Sequence, residues 1–107
     1  MYIHVKSMTQ NTYEQWKNIG AVIAKFHSKG IYHHDLNAHN ILIDDNDNVW
    51  LIDFDRGEQR TVHNSWQQKN MARLLRSFAK EKAKIANFHW QAQDWQTLLE
   101  GYLANKE

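Results

Sequence analysis

Residues 31–44 read IYHHDLNAHNILID, and the order of residue types in that stretch decides the fold. A polar segment carrying Asp35 and Asn40 runs straight into the apolar ILI at 41–43, after which come DDNDN at 44–48 and VWLI at 49–52. Two short apolar runs around a polar turn spell a β-hairpin. Asn40 stands just before its first strand and Asp53 just after its second, so the hairpin is expected to hold both, with Asp35, on one concave, solvent-open face. Asp44, Asp45 and Asp47 read as turn residues, because Asp and Asn side chains bond their own backbone. A calcium loop is excluded by the missing terminal glutamate.

Outward from the hairpin the pattern is helical. Tyr13, Trp16, Ile19, Gly20, Ile23, Phe26 and His27 recur at three-and-four spacing, with Asn11 and Glu14 as the expected capping pair and Gly30 as the stop. A second helix is expected from a cap near Asn64 to about Asn87, with Met71, Leu74, Leu75, Phe78 and Ile85 on one side. A third is expected over about Gln91 to Leu103, where Trp95, Leu98, Leu99, Tyr102 and Leu103 make the apolar stripe. The fold class is therefore mainly α with a small β-hairpin, in a single domain over residues 1–107. Apolar residues at 42% and charged residues at 23% suit a globular chain, and the absence of cysteine removes disulfides and thiolate ligands. No apolar run reaches the length of a membrane span, and the start MYIHVKSM lacks the apolar core of an export signal.

The net charge of +1 hides an uneven distribution. Asp35, Asp44, Asp45, Asp47, Asp53, Asp55 and Glu58 form an acidic block with Arg56 as its one cation, which suits a divalent metal ion. Arg60, Lys69, Arg73, Arg76, Lys80, Lys82 and Lys84 follow with Glu81 as their one anion. Such a face is either solvated or a surface for an anionic substrate or membrane.

Three kinds of chemistry compete for the polar stretch. Phosphoryl transfer from a nucleotide needs metal ions on the phosphates and a carboxylate beside the incoming hydroxyl. Asp35, Asn40 and Asp53 supply those parts in order. An iron site of two histidines and a carboxylate would take His33, Asp35 and His63 or His89, but it leaves the placement of Asn40 and Asp53 unexplained. A turn without chemistry is the third reading. His34 and His39 read as polar loop residues or hydrogen-bonded braces, and His27 as packed behind the first helix.

HHDLNAHNIL followed by VWLIDFDRG resembles the catalytic loop and metal-binding motif of protein-kinase-like enzymes. The longer wording, YHHDLNAHNILID with VWLIDFDRG, is similar to the 3-deoxy-D-manno-octulosonic acid (Kdo) kinases of the lipopolysaccharide-kinase group, from about Tyr13 to the end. That resemblance implies Asp35 as catalytic base, Asn40 and Asp53 as ligands of Mg2+ and of the nucleotide it carries, and His33 as the brace of the loop. It implies ATP as cofactor and Kdo-bearing lipid A as acceptor in inner-core synthesis. The partners it implies are the nucleotide and the inner-membrane surface, with no nucleic acid. The place it implies is peripheral, on the cytoplasmic face of the inner membrane.

Departures from the protein-kinase pattern narrow this. His34 replaces an arginine, Asp55 replaces the glycine after Phe54, and Asn37 replaces a lysine, changes that point away from loop phosphorylation and protein substrates. Nothing before Tyr13 supplies a glycine-rich phosphate loop, since the four glycines are Gly20, Gly30, Gly57 and Gly101. The expectation is the C-terminal lobe of a protein-kinase-like fold with the N-terminal lobe missing. Two functional classes follow: a sugar or related small-molecule kinase lobe, or an inactive remnant serving as an interaction module.

Overall fold

The computed structural model describes residues 12–52, 57–84 and 90–106. Helix α1 spans Tyr13–Ser28. Its cap lies one residue later than expected: Thr12 Oγ1 accepts the Gln15 N–H at 3.1 Å and Gln15 Oε1 accepts the Thr12 N–H at 2.9 Å. Thr12 and Gln15 have the same three-residue spacing as Asn11 and Glu14, and Gln15 gains a second bond, from its Nε2 to Asp47 Oδ1 at 2.9 Å. That bond ties the start of α1 to the hairpin turn. Lys29 ends the helix and Gly30 follows with φ +76°, the left-handed position that glycine fills without strain.

The expected hairpin is present. Strand β2, Ile41–Ile43, pairs antiparallel with β3, Val49–Leu51, with Ile41 opposite Leu51 and Ile43 opposite Val49. In the turn, Asp44 Oδ1 accepts the N–H groups of Asn46 and Asn48 at 2.9 Å each, and Asp47 sits at φ +64°. Asp44 Oδ2 accepts the Trp50 indole N–H at 3.0 Å; that bond and the Asn48 N–H hold its carboxyl below the usual range. These are turn roles, as the composition of the segment implied.

A second antiparallel pair was not expected. Strand β1, Ile31–His33, pairs with β4, Gly57–Gln59, so that His33 lies opposite Gly57. Three-residue strands reading IYH and GEQ carry no alternating apolar pattern, so nothing local announces them. Their effect on the site is direct, because they bring Gly57 back beside His33, the residue that opens the polar loop.

Helix α2 spans Asn64–Lys84 and α3 spans Ala92–Asn105. The imidazole of His63 caps α2 by accepting the Ser65 N–H at 3.1 Å, and Asp94 accepts the Gln91 N–H at 2.9 Å at the start of α3. The expected end of α2 at Asn87, and Ile85 with it, fall outside the described residues.

Trp16, Ile19 and Ile23 of α1, Leu74 and Phe78 of α2, Leu98 of α3, and Leu36 and Ile41 of the loop form the core. Each such side chain contributes roughly 1.5–3 kcal/mol by leaving water. Phe78 is the hub, edge-on to Trp16 at 5.4 Å between centroids and stacked on Trp90 at 5.7 Å. α1 and α3 cross at backbone contact: a Cβ on Gly20 would overlap the Leu98 carbonyl oxygen, and one on Gly101 the Lys17 carbonyl oxygen. This crossing turns Trp95, Leu98 and Tyr102 inward. It leaves Leu103, expected in the stripe, 66% exposed, and Tyr13 of α1 is exposed as well.

Candidate active site

The loop after β1 is organised by His33, which is buried. Its Nδ1 accepts the Asp35 N–H at 3.0 Å, which requires the proton on Nε2, and Nε2 donates to the Ile52 carbonyl at 2.7 Å. Ile52 in turn donates its N–H to the Asn40 carbonyl at 2.9 Å. Both backbone groups of Ile52 are thus fixed by the loop, one residue before Asp53. Asp53 itself lies outside the described residues.

Asn40 ends a short 3-10 turn, Ala38–Asn40, that Asn37 starts by accepting the His39 N–H at 2.8 Å. The Asn40 side chain is buried, and its Nδ2 donates to the Asp35 carbonyl at 2.8 Å. That bond brings the two expected site residues together and fixes the amide so that Oδ1 is the end left for a ligand. Asp35 keeps its carboxylate 41% exposed, open to an incoming group. An iron site through His33 is ruled out, because both ring nitrogens are already committed. Among the described residues no three metal-binding side chains cluster.

Helix α2 supports this loop along one face, through residues that the sequence reading treated as solvated or passed over. Asn70 Nδ2 donates to the His33 carbonyl at 2.8 Å and Arg73 Nη2 lies 3.3 Å from Asp35 Oδ1. Ser77 Oγ accepts the Ala38 N–H at 2.8 Å and Glu81 Oε1 meets His39 Nε2 at 2.8 Å. Positions 70, 73, 77 and 81 follow the helical repeat, so four successive rungs meet four successive parts of the loop. The spacing was visible in the sequence, but only apolar residues were followed along it. His39 is accordingly a brace, as one of its two readings had it.

Behind the first rung lies a buried chain. Asn70 spends its amide N–H on His33, so its Oδ1 accepts from His27 Nε2 at 3.0 Å, and His27 Nδ1 accepts the Tyr102 hydroxyl at 2.7 Å. Burial lowers the His27 pKa and pushes that of Tyr102 up to about 12. Both stay neutral at pH 7, and the loop is connected through α2 and α1 to α3.

The oxygens of this arrangement suit a hard cation. Asn40 Oδ1 would serve as a neutral ligand for one, and Asp53, the expected charged ligand, follows Ile52 outside the described residues. The basic residues Lys69, Arg73, Arg76, Lys80, Lys82 and Lys84 are all exposed on α2, and Arg73 differs from the rest in facing Asp35. No helix among the described residues is long and apolar enough to cross a membrane.

The family model of the lipopolysaccharide kinase (Kdo/WaaP) family matches residues 3–102, and the chain belongs to that family. It is 49% identical over 85 residues to a 3-deoxy-D-manno-octulosonic acid kinase of Vibrio parahaemolyticus, covering 79% of this chain and 35% of that protein. A kinase with the same description from Vibrio vulnificus is 47% identical over 89 residues, covering 83% of this chain and 37% of its own length. One from Xylella fastidiosa is 54% identical over 65 residues, covering 61% and 26%. The chain therefore spans about a third of the length of the curated relatives it matches.

Proposed function

We propose that this chain is the catalytic-loop portion, equivalent to the C-terminal lobe of a protein-kinase-like fold, of an enzyme that phosphorylates a hydroxyl of a Kdo sugar. The observation that carries it is the bonded unit of Asp35, Asn40, His33 and Ile52, which ties the backbone of Asp35, whose carboxylate is half-exposed, to the buried side chain of Asn40. The acceptor is Kdo-bearing lipid A and the donor is ATP. The acceptor oxygen forms a bond to the γ-phosphorus as the bond to the β-phosphate oxygen breaks. ADP leaves, and the hydroxyl proton passes to Asp35. Asn40 Oδ1 and Asp53 would hold Mg2+, which neutralises the charge on the phosphates when bound. His33 does no chemistry; it holds the Asp35 backbone against the strand end that precedes Asp53. The exposed cations of α2 draw the chain to an anionic surface, which fits peripheral residence on the cytoplasmic face of the inner membrane.

The test uses a chimera in which this chain replaces the matching segment of the Vibrio parahaemolyticus kinase. Asp35→Asn in that chimera is expected to lower turnover on Kdo-bearing lipid A by roughly two to four orders of magnitude, the range for losing a general base, while ATP affinity is retained. Turnover within a few-fold of the unsubstituted chimera refutes Asp35 as the base.

A further inference from the structure

Among the four rungs of α2, Arg73 is the one whose contact has no structural use. Asn70 and Ser77 bond backbone groups of the loop and Glu81 clamps His39, whereas Arg73 meets the side chain of Asp35 itself. The pair is single-pronged at 3.3 Å, with the guanidinium 47% and the carboxylate 41% exposed. Ion pairs this open to water add little to stability. Among the described residues the guanidinium makes no other hydrogen bond, so most of its five donors remain for a ligand.

Its position is nevertheless fixed. Asn70 anchors α2 three residues before it and Ser77 four residues after it, while Leu74 beside it is fully buried. The backbone cannot drift, and only the outer part of the side chain is free to turn. A planar guanidinium next to a carboxylate that receives a hydroxyl proton suits a two-pronged oxyanion on the acceptor, and a carboxylate near that hydroxyl is one such group. Kdo, a sugar acid, carries a carboxylate.

We infer that Arg73 is an acceptor-binding residue that pairs with the carboxylate of the sugar acid and so sets its hydroxyl against Asp35. This rests on the kinase reading, and it adds a specificity device: a neutral sugar would leave the guanidinium on Asp35. A lysine would keep the charge but lose the two-pronged match.

The experiment titrates this chain, labelled with nitrogen-15, with free Kdo and separately with Kdo methyl ester at fixed ionic strength. Kdo is expected to shift the Arg73 Nε–H and the Asp35 amide signals, the ester is expected to shift neither, and the Arg73→Gln variant is expected to lose the shift at the Asp35 amide. Equal shifts with acid and ester, or no shift at either signal with acid, overturn the inference. In the chimera, Arg73→Gln should raise the acceptor KM by roughly 10- to 100-fold, the worth of a charge-assisted bond, with the KM for ATP unchanged and Arg73→Lys in between. An unchanged acceptor KM also overturns it. Failure of the kinase reading shows separately, as turnover that survives Asp35→Asn.

Discussion

His27 shows how much a single side chain can carry out of sight of the chemistry. It is enclosed by Tyr102, Asn70 and the edge-on ring of Trp66, and burial favours its neutral form. Burial is the main cause of its lowered pKa, with Asn70 opposing and the Lys106 charge adding to it. Below its ordinary pKa of 6.5 the unfolded chain takes up a proton at His27 that the folded chain refuses. The unfolded state then binds more protons, so stability falls as pH drops through the ordinary value of 6.5 and is insensitive to this group well above it. The urea midpoint should fall between about pH 7.5 and about pH 5.5, and His27→Gln should flatten that slope. An identical slope in the variant would assign the pH dependence elsewhere. In the sequence this residue read only as packed behind the first helix. Its partners lie 43 and 75 positions away, and separations of that size leave no local trace. Asp35, Asn40 and His33 stand together in the sequence motif, and their bonds to one another close within five residues of chain.

Among the elements, α2 supports the loop with one face and the core with the other, and the crossing of α1 with α3 closes the rest of the core. If the rungs of α2 hold the loop, Ser77→Ala removes the acceptor of the Ala38 N–H and should speed hydrogen exchange at that amide by about tenfold or more, leaving exchange within α2 unchanged. Unchanged exchange at Ala38 would show that the loop stands without that rung. At the crossing, Gly20→Ala and Gly101→Ala each drive a methyl group into a backbone carbonyl, where no rotamer change gives relief. Each is expected to destabilise by about 1–3 kcal/mol or more, the usual cost of overpacking, seen as a lowered thermal midpoint. A midpoint at or above that of the parent would mean the helices can separate without loss. The hairpin, three helices and most of the core were legible from apolar spacing. The β1–β4 pair was not, because three-residue strands are specified by their partners and not by their own pattern. The rungs were missed for a related reason: a helix has two faces with a use, and only the apolar one was followed.

At the scale of the whole molecule, the proposed function makes the described residues the acceptor side of a phosphoryl-transfer site, with little that could enclose a nucleotide. Asp35 and Arg73 are paired and half-exposed, and Trp50 of β3 and the following Ile52 are exposed as well. The chain contains no glycine-rich phosphate loop, and it spans about a third of the length of its curated relatives. A base and three phosphates bound on one side alone keep much of their surface in water, where apolar burial and charge pairing contribute least. A cation held by Asn40 and Asp53 without phosphates across from it would be exchanged readily with water. The 107-residue chain is therefore expected to give no measurable heat when titrated with ATP and magnesium, whereas the chimera with the rest of the Vibrio kinase should bind in the micromolar range. The comparison is informative in both directions, since the same Asp35, Asn40 and Asp53 are present in the two proteins. Micromolar binding by the chain alone would place the nucleotide in a site built wholly from these residues, and would overturn the view that this loop serves as one wall of a larger cleft.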